Sequence, residues 1–450
     1  MPRTPRARQG LFRHPAQAVT AGFVAVILIG AGLLCIPAAS TNEGSPPFVE
    51  ALFTATSAVT VTGLTTVDTA TYWTPFGQGV ILALIQLGGL GIMTSASLLF
   101  LAVARRLNLR GSLRAQAEVH ALGIGDLRRL LVFILAFTVA FEVIVSTVLA
   151  MRLWLGAGRD LPTAWWEGAF HGVSAFNNAG FSLYSDNLVG FATDGWFLIT
   201  VAVAVIAGGL GFPVWLELVR RPRQPRRWTV HAKLTLATTG ALLAFGTLVI
   251  TIFEWSNPAT LGGHGPAARL LGGFFAGVMP RTAGFNAIDY GEADQETLLA
   301  TDMLMIVGGG SGGTAGGLKV TTFALLFLIV WAELRGDREV SAFRRSIPHP
   351  VQRQALTIAV LGLNAVVLAT LVIMATSDLP HQAVIFETIS AFATVGLSTG
   401  ITPELNGVGQ AVVIPLMLIG RIGPLTLGAA LVLRERERLY AHPEERPLVG

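Results

Sequence analysis

Long apolar segments separated by short polar ones run through the whole chain. Residues 19–36 and 234–253, for example, contain no charged side chain, and both are close to the ~20 residues that a helix needs to cross a bilayer. The pattern predicts an all-α membrane protein with eight transmembrane helices, at roughly residues 18–38, 76–103, 129–153, 195–219, 232–254, 300–333, 355–376 and 408–433.

Four shorter apolar stretches lie between these spans. The first, residues 48–59, follows Pro46 and Pro47 and is too short to cross a bilayer. We therefore expect it to enter the membrane and return as a re-entrant half-helix. The other three stretches follow Pro162, Pro266 and Pro380. Each unit is thus predicted to consist of a helix (M1), a half-helix with a pore loop, and a second helix (M2).

A short motif recurs in each of these stretches: a Phe, nine residues, a Gly and then a Leu or Phe. Successive motif glycines are 117, 104 and 112 residues apart, a spacing that holds two spans and the element between them. The four loops are Val61-Thr62-Gly63-Leu64, Asn178-Ala179-Gly180-Phe181, Thr282-Ala283-Gly284-Phe285 and Thr394-Val395-Gly396-Leu397.

Four re-entrant loops at one depth predict a shared pore, because backbone at membrane depth is tolerated only when it is buried or lines water. Glycine permits torsions that aim successive carbonyl groups at one point. The negative C-terminal end of each half-helix also favours a cation. Arg281 is the only basic residue in these blocks, and we expect it to point away from the axis. The alternative is four ordinary glycine turns.

A glycine-rich segment interrupts the sixth predicted span. Each glycine costs a helix about 1 kcal/mol relative to alanine, so we expect an irregular segment that lines a cavity. We interpret it as a flexible gate beneath the filter; a structural kink or a close helix crossing is the alternative. No strand precedes the segment and no glycine precedes its lysine, so it is not a phosphate-binding loop. The gate candidates are Gly308, Gly309, Gly310, Ser311, Gly312, Gly313, Thr314, Ala315, Gly316, Gly317 and Lys319.

Arg421 completes the predicted gate from the middle of the eighth span. Gly89 and Gly209 occupy the matching positions of two earlier units. A central Arg costs about 2.5–3.5 kcal/mol on insertion scales and usually faces a bundle interior or water. Below the filter it would repel cations and speed their exit; the alternative is a structural Arg paired with a carboxylate or helix-end carbonyls. We interpret Glu142 and His171 as structural residues.

Composition and charge agree with a membrane protein. The chain is 52% hydrophobic and 13% charged, with a mean hydropathy of +0.62, whereas soluble proteins carry about 25% charged residues. Arginines cluster in one set of connections and acidic residues in the other, which predicts that both termini lie in the cytoplasm. The net charge of +4 then reflects topology, and no nucleic-acid partner is expected. The first span could also be a signal peptide, but the first repeat needs it.

The repeats divide the chain into six segments. The second repeat begins with a cytoplasmic linker, and the third contains the gate loop 307–319. The segments are a basic N-terminus 1–17, repeats 18–104, 105–219, 220–335 and 336–433, and a cytoplasmic C-terminus 434–450.

These loops resemble those of the Trk/Ktr/HKT superfamily of potassium transporters, over residues 18–433. The fourth loop is similar to the potassium-channel filter signature, with one glycine where channels have two. Trk-type members carry two further N-terminal spans that this sequence lacks, so it is more similar to the KtrB type. The resemblance implies a gated potassium-uptake pore in the cell (inner) membrane. It leaves open whether uptake depends on sodium, and sodium is a second candidate ion. It also implies a homodimer and a cytoplasmic KtrA-type ring, on which alone nucleotide is expected.

Two other classes of function fit less well. A secondary transporter of another cation or small solute usually has inverted repeats, whereas these four repeats share one orientation. An enzyme would need a nucleophile with its base, paired carboxylates or metal-ligand spacing in the spans, and the sequence offers none.

Overall fold

The computed structural model describes residues 15–110 and 124–433, with side chains for 17–95 and 131–423. The predicted basic N-terminus up to residue 14, the C-terminus 434–450 and part of the linker after residue 110 lie outside these residues. The described chain is mostly helical.

Seven helices form the first half of the molecule. Several begin at a side-chain cap: Asp160 accepts a hydrogen bond from the Thr163 backbone N–H and Asp194 from that of Phe197. Such caps satisfy one of the N–H groups that a helix leaves unpaired at its start. The helices are α1 Pro15–Leu34, α2 Phe48–Thr60, α3 Pro75–Arg110, α4 Ile124–Gly156, α5 Leu161–Phe176, α6 Gly195–Leu210 and α7 Phe212–Arg220.

Seven further helices form the second half. The first of them is capped by Thr229, whose side chain accepts from the Ala232 N–H. They are α8 Val230–Glu254, α9 Pro266–Val278, α10 Gln295–Ile306, α11 Val320–Arg335, α12 His349–Thr376, α13 His381–Ala393 and α14 Gly407–Leu433. A two-residue antiparallel pair, β1 Ser341–Ala342 and β2 Arg345–Ser346, precedes α12 and was not expected from the sequence.

Within the described residues, five helices are long and apolar enough to cross a membrane: α1, α3, α4, α8 and α12. The bent pair α6 and α7 makes a sixth if it is counted as one span. The prediction of several apolar spans in an all-α membrane protein is confirmed. The count of eight spans and the division into four repeats remain predictions.

The sequence predicted the fourth span as one continuous helix, but the structure divides it into two helices, α6 and α7. It breaks at Gly211, where the axes of α6 and α7 meet at 97°. Gly211 has a φ of +88°, which a side chain would strain, and Pro213 follows in the first turn of α7. The apolar pattern continued across the break, so hydropathy alone did not reveal it.

The four half-helices α2, α5, α9 and α13 lie in the interior of the bundle. Each packs against the long helix before it: α1, α4, α8 and α12 respectively. The outward faces of the long helices instead carry exposed apolar side chains such as Leu28, Leu155 and Leu368. Large exposed apolar surface on a helical bundle is what a lipid environment requires.

Candidate functional site

Each half-helix leads into a residue with a left-handed backbone, two positions before the motif glycine. These residues are Val61, Asn178, Thr282 and Thr394, with φ of 54°, 60°, 68° and 51°. Positive φ is uncommon outside glycine, and for β-branched residues it is a genuine outlier. Strain of this kind persists only where the surrounding structure enforces it, and it clusters at functional sites.

The motif glycines also have positive φ: 95° at Gly63, 70° at Gly180, 73° at Gly284 and 92° at Gly396. Each loop thus has two positive-φ residues separated by one residue with negative φ. The requirement for glycine that the sequence suggested has a backbone cause at all four positions. Leu64, Phe181, Phe285 and Leu397, which follow the glycines, are all buried.

The four glycines pack against one another in a closed cycle. A methyl carbon added at Gly63 would lie 3.1 Å from the Cα of Gly180, and one at Gly180 would lie 2.8 Å from the Cα of Gly284. One at Gly284 would lie 3.2 Å from the Cα of Gly396, and one at Gly396 would lie 3.0 Å from the Cα of Gly63. Loops more than 100 residues apart in sequence therefore meet around one point, and no side chain fits between them.

Serines six positions before the glycines brace three of the four loops. The backbone N–H of Gly63 donates to Ser57 Oγ at 3.0 Å, and that of Gly396 donates to Ser390 Oγ at 3.1 Å. In the second loop Ser174 Oγ donates to the Phe181 carbonyl at 2.8 Å. Val278 occupies this position in the third loop. Sequence reasoning missed these serines, although their constant offset from the glycine was visible.

Two loops are also braced by a side chain nine positions before the glycine. His171 Nε2 lies 3.1 Å from Ser182 Oγ, and Ser398 Oγ donates to Glu387 Oε2 at 2.8 Å. His171, Ser182 and Glu387 are buried, and Ser398 is partly buried. His171 is therefore a hydrogen-bonded structural residue, consistent with its interpretation from sequence. Thr402 Oγ1 also donates to Glu387.

Two tyrosines in the connections that follow the first two motif loops donate to glutamates of the half-helices. Tyr72 OH donates to Glu50 Oε2 at 2.7 Å, and Tyr184 OH donates to Glu167 Oε2 at 2.8 Å. Burial, together with the hydrogen bond and charge of Glu50, raises the pKa of Tyr72 to about 12. Burial and Glu167 likewise raise the pKa of Tyr184. Both phenols therefore keep the proton that holds the loop to its half-helix.

The glycine-rich segment 307–319 is irregular, as expected, and largely buried. Its two ends lie together, because the Gly308 N–H donates to the Leu318 carbonyl at 2.8 Å and the Val320 N–H to the Gly309 carbonyl at 3.0 Å. Its middle packs at the break between α6 and α7. There the N–H of Gly310 donates to the Gly209 carbonyl at 2.7 Å.

Further contacts fix the rest of this segment. The Thr314 N–H donates to the Gly208 carbonyl at 3.2 Å, and Gly312 accepts from the Phe212 N–H at 3.3 Å. Ser311 Oγ lies 3.2 Å from Thr321 Oγ1. Lys319 Nζ donates to the Ala315 carbonyl. The Gly313 N–H donates to the Gly310 carbonyl at 3.2 Å.

The same segment touches two of the four motif loops. Thr314 Oγ1 donates to Asn178 Oδ1 at 3.0 Å. A methyl carbon added at Gly316 would lie 3.1 Å from the carbonyl oxygen of Ala393, and one at Gly317 would lie 3.1 Å from the Cα of Ala393. The segment therefore lies directly against the inner ends of α5 and α13.

Arg421 is buried in α14, and its Nη1 donates to the Thr314 carbonyl of the segment. Its Nε and Nη2 have no hydrogen-bond partner within the described part of the chain. The structure thus joins Arg421 to the gate candidates through a loop carbonyl and not through a carboxylate. Gly420, just before it, packs on the Phe392 carbonyl at the end of α13, which explains why a small residue is needed there.

Two other buried polar residues near the loops have partners on neighbouring helices. Arg281 Nη1 donates to the Thr239 carbonyl of α8 at 3.5 Å, so its side chain reaches behind the loop, as expected. Glu142 accepts from Gln86 and from Asn177 at 3.2 and 2.9 Å. No partner for Glu142 could be identified from the sequence, because both partners lie on other helices. In the described chain no cluster of His, Cys, Asp or Glu could hold a metal ion.

With this geometry established, comparison with known proteins gives a family. The family model described as TrkH, cation transport protein, matches residues 2–437. The chain belongs to the TrkH family. This family consists of cation transport proteins. The chain is therefore a transporter and not an enzyme.

Relatives in the TrkH family match over nearly their full length. The chain is 40% identical to Ktr system potassium uptake protein B of Bacillus subtilis over 441 residues, covering 97% of each chain. It is 39% identical to the protein of the same name from Vibrio alginolyticus, covering 95% of this chain and 93% of that one. It is also 38% identical to the potassium/sodium uptake protein NtpJ of Enterococcus hirae, covering 97% of each.

A solved TrkH structure supports the fold. The potassium transporter TrkH from Vibrio parahaemolyticus matches with a TM-score of 0.71 over 96% of this chain and 87% of that chain. Sequence identity is 18%, so this likeness concerns the fold alone.

Proposed function

We propose that the chain takes up potassium across the cell membrane through a gated pore with a backbone selectivity filter. The observation that carries the proposal is the closed cycle of Gly63, Gly180, Gly284 and Gly396. The names of the relatives, two potassium uptake proteins and one potassium/sodium uptake protein, agree with it.

The filter consists of the four loops 61–64, 178–181, 282–285 and 394–397. Their backbone carbonyls replace part of the hydration shell of a monovalent cation. The C-terminal ends of α2, α5, α9 and α13 point toward these loops and lower the energy of a positive charge there. With one glycine per loop, this filter discriminates less strongly between potassium and sodium than that of a potassium channel.

The gate is the segment 307–319 together with Arg421. Its hydrogen bonds to the end of α6 and its packing on Ala393 support a position directly below the filter. Such a segment closes the pore when it lies under the loops and opens it when it moves aside. Arg421 holds it through the Thr314 carbonyl and repels cations that leave the filter.

The assembly proposed for this chain follows its relatives. Two relatives are components of a "Ktr system", which supports a cytoplasmic KtrA-type regulatory ring that carries any nucleotide. We propose a homodimer in the cell (inner) membrane, with one pore in each subunit and both termini in the cytoplasm. The potassium/sodium name of NtpJ supports sodium as a second ion.

Rubidium uptake into liposomes that contain the purified chain tests the proposal. Uptake blocked by potassium more strongly than by sodium is the expected result. The same liposomes with and without a KtrA-type subunit show whether the gate depends on a partner. Absence of uptake in both preparations, with correctly inserted protein, would contradict the pore.

A further inference from the structure

Three amide and carboxyl side chains meet between α3, α4 and the end of α5. Gln86 Nε2 donates to Glu142 Oε2 at 3.2 Å, and Asn177 Nδ2 lies 2.9 Å from Glu142 Oε1 and 3.0 Å from Gln86 Oε1. Asn177 and Glu142 are buried, and Gln86 is partly buried. Each side chain therefore contacts both of the others, and the cluster links three helices.

Aromatic rings pack against one another at the residues next to Glu142 and Asn177 in the chain. Phe141 lies 5.6 Å from Phe176, and Phe137 lies 6.3 Å from it, measured between ring centroids. Phe176 is the last residue of α5 and directly precedes Asn177. In such apolar surroundings hydrogen bonds are electrostatically stronger than in water, and an unpaired polar group is costly.

Asn177 is rigidly placed next to the second filter loop. It caps α5 and is followed directly by Asn178, the left-handed residue of that loop. Its side chain also packs on the α3 backbone, because a methyl carbon added at Gly89 would collide with the Asn177 amide. A shift of the Asn177 side chain would therefore be passed to the backbone of the second filter loop, because only one peptide bond separates Asn177 from Asn178.

The same position, three before the motif glycine, is anchored differently in each loop. In the third loop it is Arg281, which also reaches the preceding long helix at the Thr239 carbonyl. In the first loop Thr60 Oγ1 bonds Thr62 Oγ1 at 2.7 Å, within the loop itself. In the fourth loop it is Ala393, which has no side-chain hydrogen bond. The second loop thus depends most on a polar network outside itself.

We propose that Glu142 and Gln86 are positioning residues that hold the second filter loop through Asn177 and so contribute to ion selectivity. This inference rests on the proposed function, since it assumes that loop 178–181 contacts the ion. It differs from a purely structural role, which would affect folding but not the preference between ions.

The pattern of donors and acceptors provides a sharp test. Glu142→Gln keeps the shape of the side chain but replaces one carboxylate oxygen with an NH2 group. Both oxygens of Glu142 accept hydrogen bonds, one from Gln86 and one from Asn177. In the arrangement of the unmodified chain, the new NH2 group would therefore face another donor. In the exchanged double variant Gln86→Glu/Glu142→Gln, the carboxylate again accepts from both amides. Thr147→Val is the matched control, because Thr147 lies on the same helix and its hydroxyl bonds only the Val143 carbonyl of its own helix at 2.7 Å.

The measurement is rubidium uptake in liposomes with sodium or potassium as competitor, at equal amounts of inserted protein. Glu142→Gln should weaken potassium-over-sodium preference about tenfold, the order expected when one buried hydrogen bond is left unmade. The exchanged variant should recover it, and Thr147→Val should match the unmodified chain. If Glu142→Gln does not insert, Gln86→Met is the second variant. It removes the donor to Glu142 and one acceptor of Asn177 at a less buried site, but Asn177 still donates to Glu142, so a smaller loss in the same direction is expected.

A Gly396→Ser arm separates failure of this inference from failure of the proposed function. Loss of preference in Gly396→Ser with full preference in Glu142→Gln would overturn the positioning role and leave the pore intact. Unchanged preference in both variants would overturn the four-loop filter and this inference with it. Loss in Glu142→Gln without recovery in the exchanged variant would also contradict the positioning role, because the charge itself would then matter.

Discussion

The cycle of glycines makes Gly396→Ser the most informative perturbation of this protein. A β-carbon at this position would lie 3.0 Å from the Cα of Gly63, where ordinary contact begins at 3.4 Å, and closer still to the Thr62 carbonyl oxygen. That oxygen belongs to the neighbouring motif loop, so the substitution must displace a group proposed to bind the ion.

Two separate costs contribute to the expected effect. A side chain at φ of +92° adds about 1–2 kcal/mol of backbone strain. Overpacking against the first loop adds about 1–3 kcal/mol. If only 1.4 kcal/mol of the second cost falls unequally on the potassium and sodium complexes, the preference between them changes about tenfold.

Gly400→Ser separates the two costs. Gly400 has nearly the same torsion, φ of +95°, but a methyl carbon added there meets nothing within 4 Å. This control therefore carries the strain without the collision. In rubidium uptake competed by potassium or sodium, Gly396→Ser should lose most of its potassium preference and Gly400→Ser should retain it. Equal preference in the two variants would refute the reasoning, whatever their stability.

Three other substitutions test the surroundings of the loops. Ser390→Ala removes the acceptor for a filter N–H and should lower stability by about 1 kcal/mol, seen as a lower thermal midpoint in detergent; an unchanged midpoint would contradict the brace. Arg421→Ala releases the Thr314 carbonyl and should raise the initial uptake rate about tenfold, since hydrogen bonds to charged groups are worth about 1.5–3 kcal/mol; an unchanged or slower rate would show that this hydrogen bond does not hold the gate closed. Gly211→Ala strains a φ of +88° and approaches the Ser311 carbonyl at 2.6 Å, so uptake should fall, whereas Gly336→Ala, at φ of +71° in open space, should not change it.

Much of the fold was predictable because it depends on local sequence patterns. Apolar runs predicted helices, and prolines marked the entry to the half-helices at Pro266 and Pro380. A single glycine offset by ten from a phenylalanine located the loops. The run of glycines predicted an irregular segment at 307–319, because so many glycines in succession do not sustain a helix.

Other features were invisible in the sequence for physical reasons. The break at Gly211 left no mark in hydropathy, since both sides of it are apolar. The partners of Glu142 lie 56 residues before it on Gln86 and 35 after it on Asn177, and no spacing rule connects residues on three separate helices. The hydrogen bond from Thr314 to Asn178 likewise joins residues that are far apart in the sequence, 136 positions from each other.

The sequence by itself determined that the chain enters the membrane repeatedly, where its four motif loops lie, and that each of these loops needs a glycine. Those properties depend on local torsion and on the transfer of side chains from water to lipid. Only the tertiary structure decided that Gly63, Gly180, Gly284 and Gly396 close into one cycle. The four glycines come into contact only when all the helices pack together, because the packing of the helices between them decides how far apart the four loops lie.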